Sequence, residues 1–400
     1  MFGWEFPPYN SGGLGVACSG LTKSLLTHDL AITFVLPKKM DLVSDSTRII
    51  FADNDPITVQ YVDSLLHPYI TSSEYFRMRH SAIGGYGDSL FDEVYRYAMN
   101  ARKIVEQEKF DIIHAHEWLS FPAGIEAKKL SGKPLIMHVH ATEFDRSGGN
   151  MNPVVFGIEK EGLEKADEIV AVSEYTKRII TQQYGINPDK ISVVHNGVAP
   201  FDDNTNPALE KPFNLPALKQ SGNKIVLFVG RLTLQKGPDY FIKAAKKVLE
   251  FEPHTYFIIA GSGDMERQLM EETAQLGISD KVFFTGFLRG EDLKIVYRAA
   301  DLFVLSSVSE PFGITTLESM INGTPVLISK QSGVSEALDH VLKVDFWDVD
   351  EMAHKIISVL RYRPLMDNLA ANGYSEAQRF TWNQAAEKCI KIYDRLTKNY

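Results

Sequence analysis

The sequence predicts an α/β protein that is built from two doubly wound, Rossmann-like domains. Apolar runs of strand length alternate with segments whose apolar residues recur at helical spacing, through nearly the whole chain. The chain has 400 residues, which exceeds the roughly 250–300 residues that one hydrophobic core supports. A stretch rich in Pro, Asn and Asp, without any period, interrupts the alternation between residues 199 and 223 and predicts a linker. Alternating strands and helices on each side of a linker favour parallel sheets with helices on both faces.

The composition is that of an ordinary globular protein and excludes several classes of function. The net charge of −9 argues against a broad nucleic-acid-binding surface, so no nucleic-acid partner is expected. The longest apolar runs have strand length, well below the ~20 residues of a membrane helix, and no signal peptide follows Met1. Cys18 and Cys389, the two cysteines, lie far apart without metal-ligand spacing, which favours a reducing compartment. We therefore expect a cytoplasmic protein with no transmembrane segment.

The elements of the first half are predicted from apolar runs that are bounded by Gly, Pro or polar residues. Residues 1–4 resemble the end of a strand whose opening residues are missing, which implies a misassigned start codon or an unusually short strand. A glycine-rich turn at 11–15 leads into the first helix. Further strands are predicted at 31–36, 48–51, 58–61, 111–116, 134–140, 167–173 and 191–194. Helices are predicted at 16–26, 88–107, 122–130, 159–165 and 174–184.

The second half repeats the same alternation. Its first helix has Pro238 at the start, where proline is tolerated because that N–H needs no helical partner. Strands are predicted at 225–230, 255–260, 282–284, 301–306, 325–328 and 341–344. Helices are predicted at 238–251, 266–276, 290–300, 314–321, 350–362, 365–379 and 383–397.

Two carboxylates stand out around one helix of the second half. Glu310 lies in the loop at the carboxyl end of a strand, and Glu318 lies about one turn inside the helix, with seven residues between them. The N–H groups of Phe312, Gly313 and Ile314 lie at or near the helix start, where unpaired N–H groups and the helix dipole make an anion site. Gly313 lets a ligand approach the backbone closely. The alternative is two solvated carboxylates.

A pair of cations follows the first strand of the second half. Arg231 and Lys236 share a loop between Gly230 and Gly237. A guanidinium fork and a compact ammonium bind phosphate in different ways, so the pair suits a diphosphate. Two solvated cations are the alternative reading.

Polar residues of the first half also fall at strand ends. The glycine-rich turn between a strand and a helix is an arrangement that presents backbone amides to phosphate or sugar oxygens, although a tight turn without a ligand reads the same way. His140 ends the strand 134–140, where ligands bind in open α/β sheets. We expect His138 on the other face, in a structural role. His116 ends the preceding strand and is a further candidate for the same site.

Together these motifs resemble those of the retaining glycosyltransferases of family four, group 1, which have the GT-B fold and include the glycogen and starch synthases. The resemblance is carried by the Gly-Gly-Leu loop, the segment HVHATEFDR around His140, the segment GRLTLQKG, and the two glutamates, in the right order. Asn10 and Val16 depart from the bacterial glycogen synthases, which commonly have Lys and Asp there. One phosphate or sugar contact of that subgroup therefore stays open.

The resemblance implies two domains that face a cleft. Residues 1–205 would form an acceptor domain, 206–223 the linker, and 224–380 a nucleotide-sugar donor domain. The helix within 381–400 would cross back and complete the first domain. The implied reaction is glycosyl transfer from a nucleoside-diphosphate sugar with retention, most specifically from ADP- or UDP-glucose to an α-glucan.

The resemblance also implies the roles of individual residues. The expected catalytic residues are His140, Arg231, Lys236 and Glu310, with Glu310 at the transferred sugar and Glu318 at the nucleotide ribose. No metal ion and no other cofactor are expected, because the two cations would neutralise the diphosphate. The residues expected to contact the donor are Gly13, Leu14, Phe287, Leu288, Phe312, Gly313, Ile314, Thr315 and Glu318.

Several alternatives stay open. A family-four transferase for another glycan, a lipid or a small-molecule acceptor would carry the same motifs, and so would a sugar-nucleotide epimerase or a non-catalytic nucleotide-sugar binder. The sequence leaves the donor base, the sugar, the acceptor and the oligomeric state undetermined. The aromatic segment Tyr75 to Tyr86 could stack on sugars or belong to a local core.

Overall fold

A computed structural model describes residues 1–7, 12–37, 48–51, 86–200, 215, 219 and 221–398. The strand predicted at 58–61, Asn10, most of the predicted linker and nearly all of the aromatic segment lie outside these residues. The chain divides into two compact units. One comprises Met1–Gly197 with Trp382–Tyr400, and the other comprises Val198–Thr381.

The first unit contains a parallel sheet. Its strands are β1 (Thr33–Leu36), β2 (Arg48–Phe51), β3 (Ile113–His116), β4 (Leu135–Val139), β5 (Glu168–Ala171) and β6 (Ile191–Val193). Phe2 makes isolated parallel bridges to Val35 and Ala115, so the first residues lie between β1 and β3. The order is therefore β2, β1, the amino-terminal segment, β3, β4, β5 and β6. The chain moves outward from its first segment in both directions, which is the doubly wound arrangement.

Helices cover both faces of this sheet. They are α1 (Gly13–Leu25), α2 (Tyr86–Gln107), α3 (Phe121–Ser131), α4 (Glu143–Ser147), α5 (Pro153–Lys165), α6 (Glu174–Tyr184) and α13 (Trp382–Thr397). Met137 packs into the cluster on one face with Trp118, while Ile136 packs into the cluster on the other face with Leu21 and Ala386. Burial on both faces explains why β4 reads as a nearly continuous apolar run.

The second unit contains a six-stranded parallel sheet with the order β12, β11, β10, β7, β8, β9. The strands are β7 (Lys224–Val229), β8 (Thr255–Ala260), β9 (Val282–Gly286), β10 (Leu302–Leu305), β11 (Val326–Ser329) and β12 (Leu342–Val344). The direction of winding reverses between β7 and β10. In open α/β sheets, ligands bind outside the carboxyl ends of the strands at such a reversal.

The helices of the second unit pack along its sheet, and several of them share one apolar core with it. The helices are α7 (Pro238–Leu249), α8 (Glu266–Gln275), α9 (Gly290–Ala299), α10 (Ile314–Ile321), α11 (Val349–Arg361) and α12 (Arg363–Ala377). Phe228 and Phe257 of the sheet meet Phe241 of α7 in that core. Within the residues that the structure describes, every helix falls short of the length or the apolar character that a membrane span needs.

The structure differs from the prediction at several places. Helix α4 was missed, because its one turn is defined by a capping box between Thr142 and Asp145 rather than by apolar spacing. Helix α1 begins at Gly13, before the predicted residue 16. Val198, whose N–H donates to Phe380 O, belongs to the second unit.

Candidate active site

Two loops meet at the reversal point of the second unit. One follows β7 and contains Arg231 and Lys236, and the other follows the neighbouring strand β10. Val308 N donates to Gln235 O at 2.9 Å, which ties the loops together. Gly237 has a φ of 60°, and a Cβ there would lie 2.3 Å from a backbone oxygen of the second loop, so only glycine fits this close approach.

The closest contact between the loops is an ion pair. Lys236 Nζ donates to Glu310 Oε2 at 2.6 Å, and Ser307 Oγ donates to the same oxygen at 3.1 Å. The two charged side chains are 18% and 10% exposed. The structure thus places two of the predicted catalytic residues in direct contact, and the second loop supplies a hydroxyl that fixes the carboxylate.

Other predicted residues lie at the same edge of the sheet. Arg231 is half-buried, and its Nη2 donates to Gln235 Oε1 at 3.4 Å. Phe287 and Leu288 directly follow β9. The Phe287 ring is 50% exposed and has the Arg289 guanidinium 4.9 Å from its centroid, whereas Leu288 is half-buried.

Helix α10 begins beside Glu310. Gly313 is the N-cap residue, with a φ of 112° that favours glycine. The buried Phe312 accepts a hydrogen bond at its carbonyl oxygen from Val334 N at 2.7 Å. Ile314 and Thr315 form the start of the first turn, where α-helical N–H groups have no intrahelical acceptor and the dipole is positive. Negative charge is stabilised at such a helix end.

Glu318 lies further along the same helix and is partly buried. Tyr297 of α9 donates its hydroxyl to Glu318 Oε2 at 3.1 Å. Burial raises the pKa of Glu318, and the hydrogen bond from Tyr297 opposes that rise. The sequence carries no signal for Tyr297, because no spacing rule connects a helical tyrosine to a carboxylate of the next helix.

Two of the residues that were expected to contact the donor lie at the start of α1 in the first unit. Gly13 is exposed at the start of α1. Leu14 is buried with Phe34 and Leu36, so its side chain belongs to the core and only its backbone could face a ligand.

His140 belongs to a cluster of four histidines on β3, on β4 and directly after β4. The His138 and His140 rings are stacked with centroids 4.3 Å apart, and His114 stacks on His116 at the same separation. His116 Nδ1 and His140 Nε2 are 3.1 Å apart and share a hydrogen bond. The expectation that His138 points to the other face is therefore wrong, because residues two apart along a strand point to the same face.

The cluster is electrically neutral. Burial lowers the pKa of His140 to about 3 and also lowers the pKa values of His114, His116 and His138 well below their ordinary value. A neutral imidazole offers one donor and one acceptor, so His140 can hydrogen-bond a sugar hydroxyl without carrying a charge.

A carboxylate and a guanidinium hold the segment after His140. Glu117 Oε1 accepts from Ala141 N at 3.4 Å, and Arg146 Nη1 donates to Ala141 O at 3.2 Å and to Glu117 Oε2 at 3.2 Å. Glu117 has a φ of 69°, which is uncommon for a residue other than glycine, and burial raises its pKa to about 8. Strained residues of this kind cluster at functional sites.

Two sequence profiles match the chain. The profile described as "Glycosyl transferases group 1" matches residues 213–376, and the one described as "Glycosyltransferase Family 4" matches residues 65–200. A D-inositol 3-phosphate glycosyltransferase of Mycolicibacterium smegmatis is 30% identical over 318 residues, which are 76% of this chain and 71% of that protein. The chain belongs to the family-four, group 1 glycosyltransferases.

Other similar proteins align with nearly the whole of this chain. An uncharacterized glycosyltransferase, MJ1607, of Methanocaldococcus jannaschii is 29% identical over 403 residues, which are 98% of this chain and 97% of that one. A glycogen synthase of Mycobacterium tuberculosis is 26% identical over 418 residues, covering 98% and 93% of the two chains. These matches span both units.

Solved structures share the fold. A sucrose-phosphate synthase from Thermosynechococcus elongatus superposes with a TM-score of 0.77 at 20% identity, over 97% of this chain and 94% of that one. The Anabaena protein HepE, in complex with UDP and glucose, gives a TM-score of 0.72 at 20% identity over 98% of each chain. The predicted GT-B fold is thereby confirmed.

Proposed function

We propose that this glycosyltransferase is a retaining hexosyltransferase that moves glucose from ADP- or UDP-glucose to an α-glucan. The observation that carries the proposal is the Lys236–Glu310 pair beside the amino end of α10, at the reversal point of a Rossmann-like sheet. The similarity to a glycogen synthase along 98% of this chain supports the choice of glucan as the acceptor.

The donor class follows from charge. A diphosphate brings two or more negative charges to a chain whose net charge is −9, so its binding needs local positive groups. Arg231, Lys236 and the N–H groups at the start of α10 supply them. That HepE, a protein of the same fold, is described in complex with UDP and glucose supports a donor of this class.

The transfer itself breaks the bond between the anomeric carbon and a diphosphate oxygen. The acceptor hydroxyl oxygen bonds to that carbon on the face that the diphosphate leaves, and the hydroxyl proton passes to the leaving phosphate oxygen. Negative charge grows on the leaving oxygen, so Lys236 and Arg231 stabilise the transition state more than the ground state. Glu310 binds sugar hydroxyls and opposes the positive charge that develops at the anomeric carbon. The two cations take the role that a metal ion would have.

The remaining residues position the substrate. Glu318 accepts hydrogen bonds from the ribose hydroxyls, and Tyr297 orients its carboxylate. His140, held neutral by burial, hydrogen-bonds the transferred sugar.

A second candidate acceptor is a small phosphorylated molecule. One similar protein is named a D-inositol 3-phosphate glycosyltransferase, and a protein of the same fold is named a sucrose-phosphate synthase. These similarities favour transfer to an inositol phosphate or a sugar phosphate with the same donor site and the same chemistry.

The test is an incubation with a panel of nucleoside-diphosphate sugars. Each donor is supplied alone, with an oligoglucan, or with phosphorylated sugars and inositol phosphates, and Glu310→Gln is the control. Nucleoside diphosphate that appears only with the oligoglucan, together with an α-linked product by NMR, is the expected result. Release only with a phosphorylated acceptor selects the second candidate. A changed sugar on an intact nucleotide would mean an epimerase, and binding without any reaction would mean a non-catalytic protein.

A further inference from the structure

A thiol lies beside the histidine cluster of the first unit. Cys18 on α1 is fully buried, and its Sγ lies within 4.8 Å of a ring nitrogen of His116 and of a ring nitrogen of His140, which also lie within that distance of each other. The proposed transfer reaction uses neither Cys18 nor His116. We propose that Cys18, His116 and His140 form a zinc-binding site.

The donor set has the chemistry that zinc prefers. Thiolate sulfur and imidazole nitrogen are its usual protein ligands, whereas Mg²⁺ and Ca²⁺ prefer oxygen. Zinc bonds of about 2.0–2.3 Å in a tetrahedron place ligand atoms roughly 3.3–3.6 Å apart. Each of the three residues offers one ligand atom that lies within 4.8 Å of the other two, and rotation of the side chains brings the three atoms to that spacing. On binding, the Cys18 thiol releases its proton to solvent.

A second observation is an unsatisfied nitrogen. His116 is fully buried, and its Nε2 has no hydrogen-bond partner within the part of the chain that the structure describes. Leaving a buried polar group without a partner is unfavourable, so Nε2 is the His116 nitrogen that the proposal assigns to zinc. The location agrees with this reading, because β3 follows the reversal point of the first sheet, where open α/β proteins bind ligands.

The proposed zinc site is accessible from the surface, and zinc bound there would affect the proposed reaction. His140 follows the end of β4 and is only half-buried, so one ligand reaches the surface. Given the proposed function, zinc would hold the imidazole that otherwise contacts the sugar. Zinc should then inhibit transfer, and a chelator should restore it.

Binding is measured on the full-length, chelator-treated protein without any donor, so the result does not depend on the proposed reaction. Zinc is titrated against a chromophoric chelator, and cobalt(II) is used as a spectroscopic substitute. We expect one equivalent of tight zinc and a thiolate-to-cobalt charge-transfer band. Cys18→Ser keeps the side-chain volume and should weaken zinc binding by more than the roughly 10–100-fold that follows loss of an outer partner of a ligand.

Cys389→Ala is the matched control, because Cys389 is the other free, buried cysteine and lies on α13, outside the proposed site. It should keep the zinc affinity, the cobalt band and the inhibition of transfer by zinc. Thermal melts confirm that each variant is folded. Unchanged zinc affinity in Cys18→Ser, or a cobalt complex without the charge-transfer band, would overturn the proposal. Zinc retained in Cys18→Ser but lost in His138→Gln would assign it instead to the buried group His114, His116 and His138, and would overturn the proposal equally.

Discussion

Replacing Lys236 by alanine tests the central claim about the donor site. The change removes the cation that is proposed to hold the leaving diphosphate, and it also leaves Glu310 without its ion-pair partner. Two effects therefore follow from one substitution, a loss of turnover and a loss of stability. The two effects are separable, because turnover and melting temperature are measured in different assays.

The loss of stability follows from the geometry of the pair. Unit charges at the 2.6 Å that separates Lys236 Nζ from Glu310 Oε2 attract by about 6 kcal/mol at an effective dielectric constant of about 20. The cost of removing both groups from water offsets most of this, and losing one partner of a buried pair costs about 3–5 kcal/mol. We expect the low end, about 3 kcal/mol, because the lysine side chain keeps 18% exposure. At about 2–4 °C per kcal/mol for a unit of this size, the melting temperature should fall by about 6–12 °C.

The loss of turnover follows from the developing charge. Removing one well-placed donor to an oxyanion lowers the rate by about 10²–10³, or ~3–4 kcal/mol. The donor dissociation constant should rise less, because the charge is greatest in the transition state. Lys236→Arg should rescue poorly, since a planar fork cannot occupy the position of a compact ammonium.

Turnover at saturating donor and the donor dissociation constant are measured below the melting transition of the variant, and the melting temperature is measured in a separate thermal scan. Lys243→Ala is the matched control, because Lys243 is 45% exposed and pairs with Asp239 at 2.9 Å. That pair should be worth about 0.2–1 kcal/mol, with no effect on turnover. Near-normal turnover in a folded Lys236→Ala protein would refute the assignment of this loop to the leaving group.

Three further predictions concern other parts of the chain. Glu318→Gln should raise the melting temperature near neutral pH but weaken donor binding. Burial raises the pKa of Glu318, so its contribution to stability is present below the ordinary pKa of about 4.3 and is lost as the pH rises through the folded-state pKa. Thermal melts at several pH values and a titration with donor measure the two effects. Gly313→Ala should cost about 1–3 kcal/mol, since φ is 112° and the new Cβ would lie 3.1 Å from Val334 Cγ1, and urea unfolding of the variant measures this. Arg146→Met should cost about 3–5 kcal/mol in the same assay, because it removes the ion-pair partner of Glu117, Glu143 and Glu159. A loss under about 1 kcal/mol would show that these groups protonate or hydrate without penalty.

Local sequence patterns predict much of the fold. Strands such as β8 and helices such as α6 and α10 were predicted at their observed bounds, because parallel strands buried on both faces read as apolar runs and these helices have clear starts and ends. The misses have local causes as well. Helix α5 begins at Pro153, ahead of the predicted residue 159, because Asn152 accepts hydrogen bonds from the first turn, a capping signal that apolar periodicity does not contain.

The candidate site was predicted as types of residue rather than as contacts. The sequence places Lys236 and Glu310 on separate loops, and only the order of the strands, with β7 beside β10, brings them together. Ser307 and Tyr297 have no motif of their own, since their roles come from the side chains that they orient. The position of His138 was within reach of the sequence, because the two-residue period of a strand puts it on the face of His140.

The two units share one architecture but differ in the charge of the side chains at the reversal point of the sheet. In each, the chain winds outward from a central segment, and the strands next to the reversal point end in polar side chains. In the second unit these are ions, Lys236 paired with Glu310, beside the positive end of a helix. In the first unit they are imidazoles that burial keeps neutral. A diphosphate needs fixed charges because the net charge of the chain repels it, whereas a sugar hydroxyl can also be bound by neutral donors and acceptors such as imidazoles. In the proposed transfer, the second unit would therefore bind the donor phosphates, and the imidazoles of the first unit would add neutral contacts to the sugar.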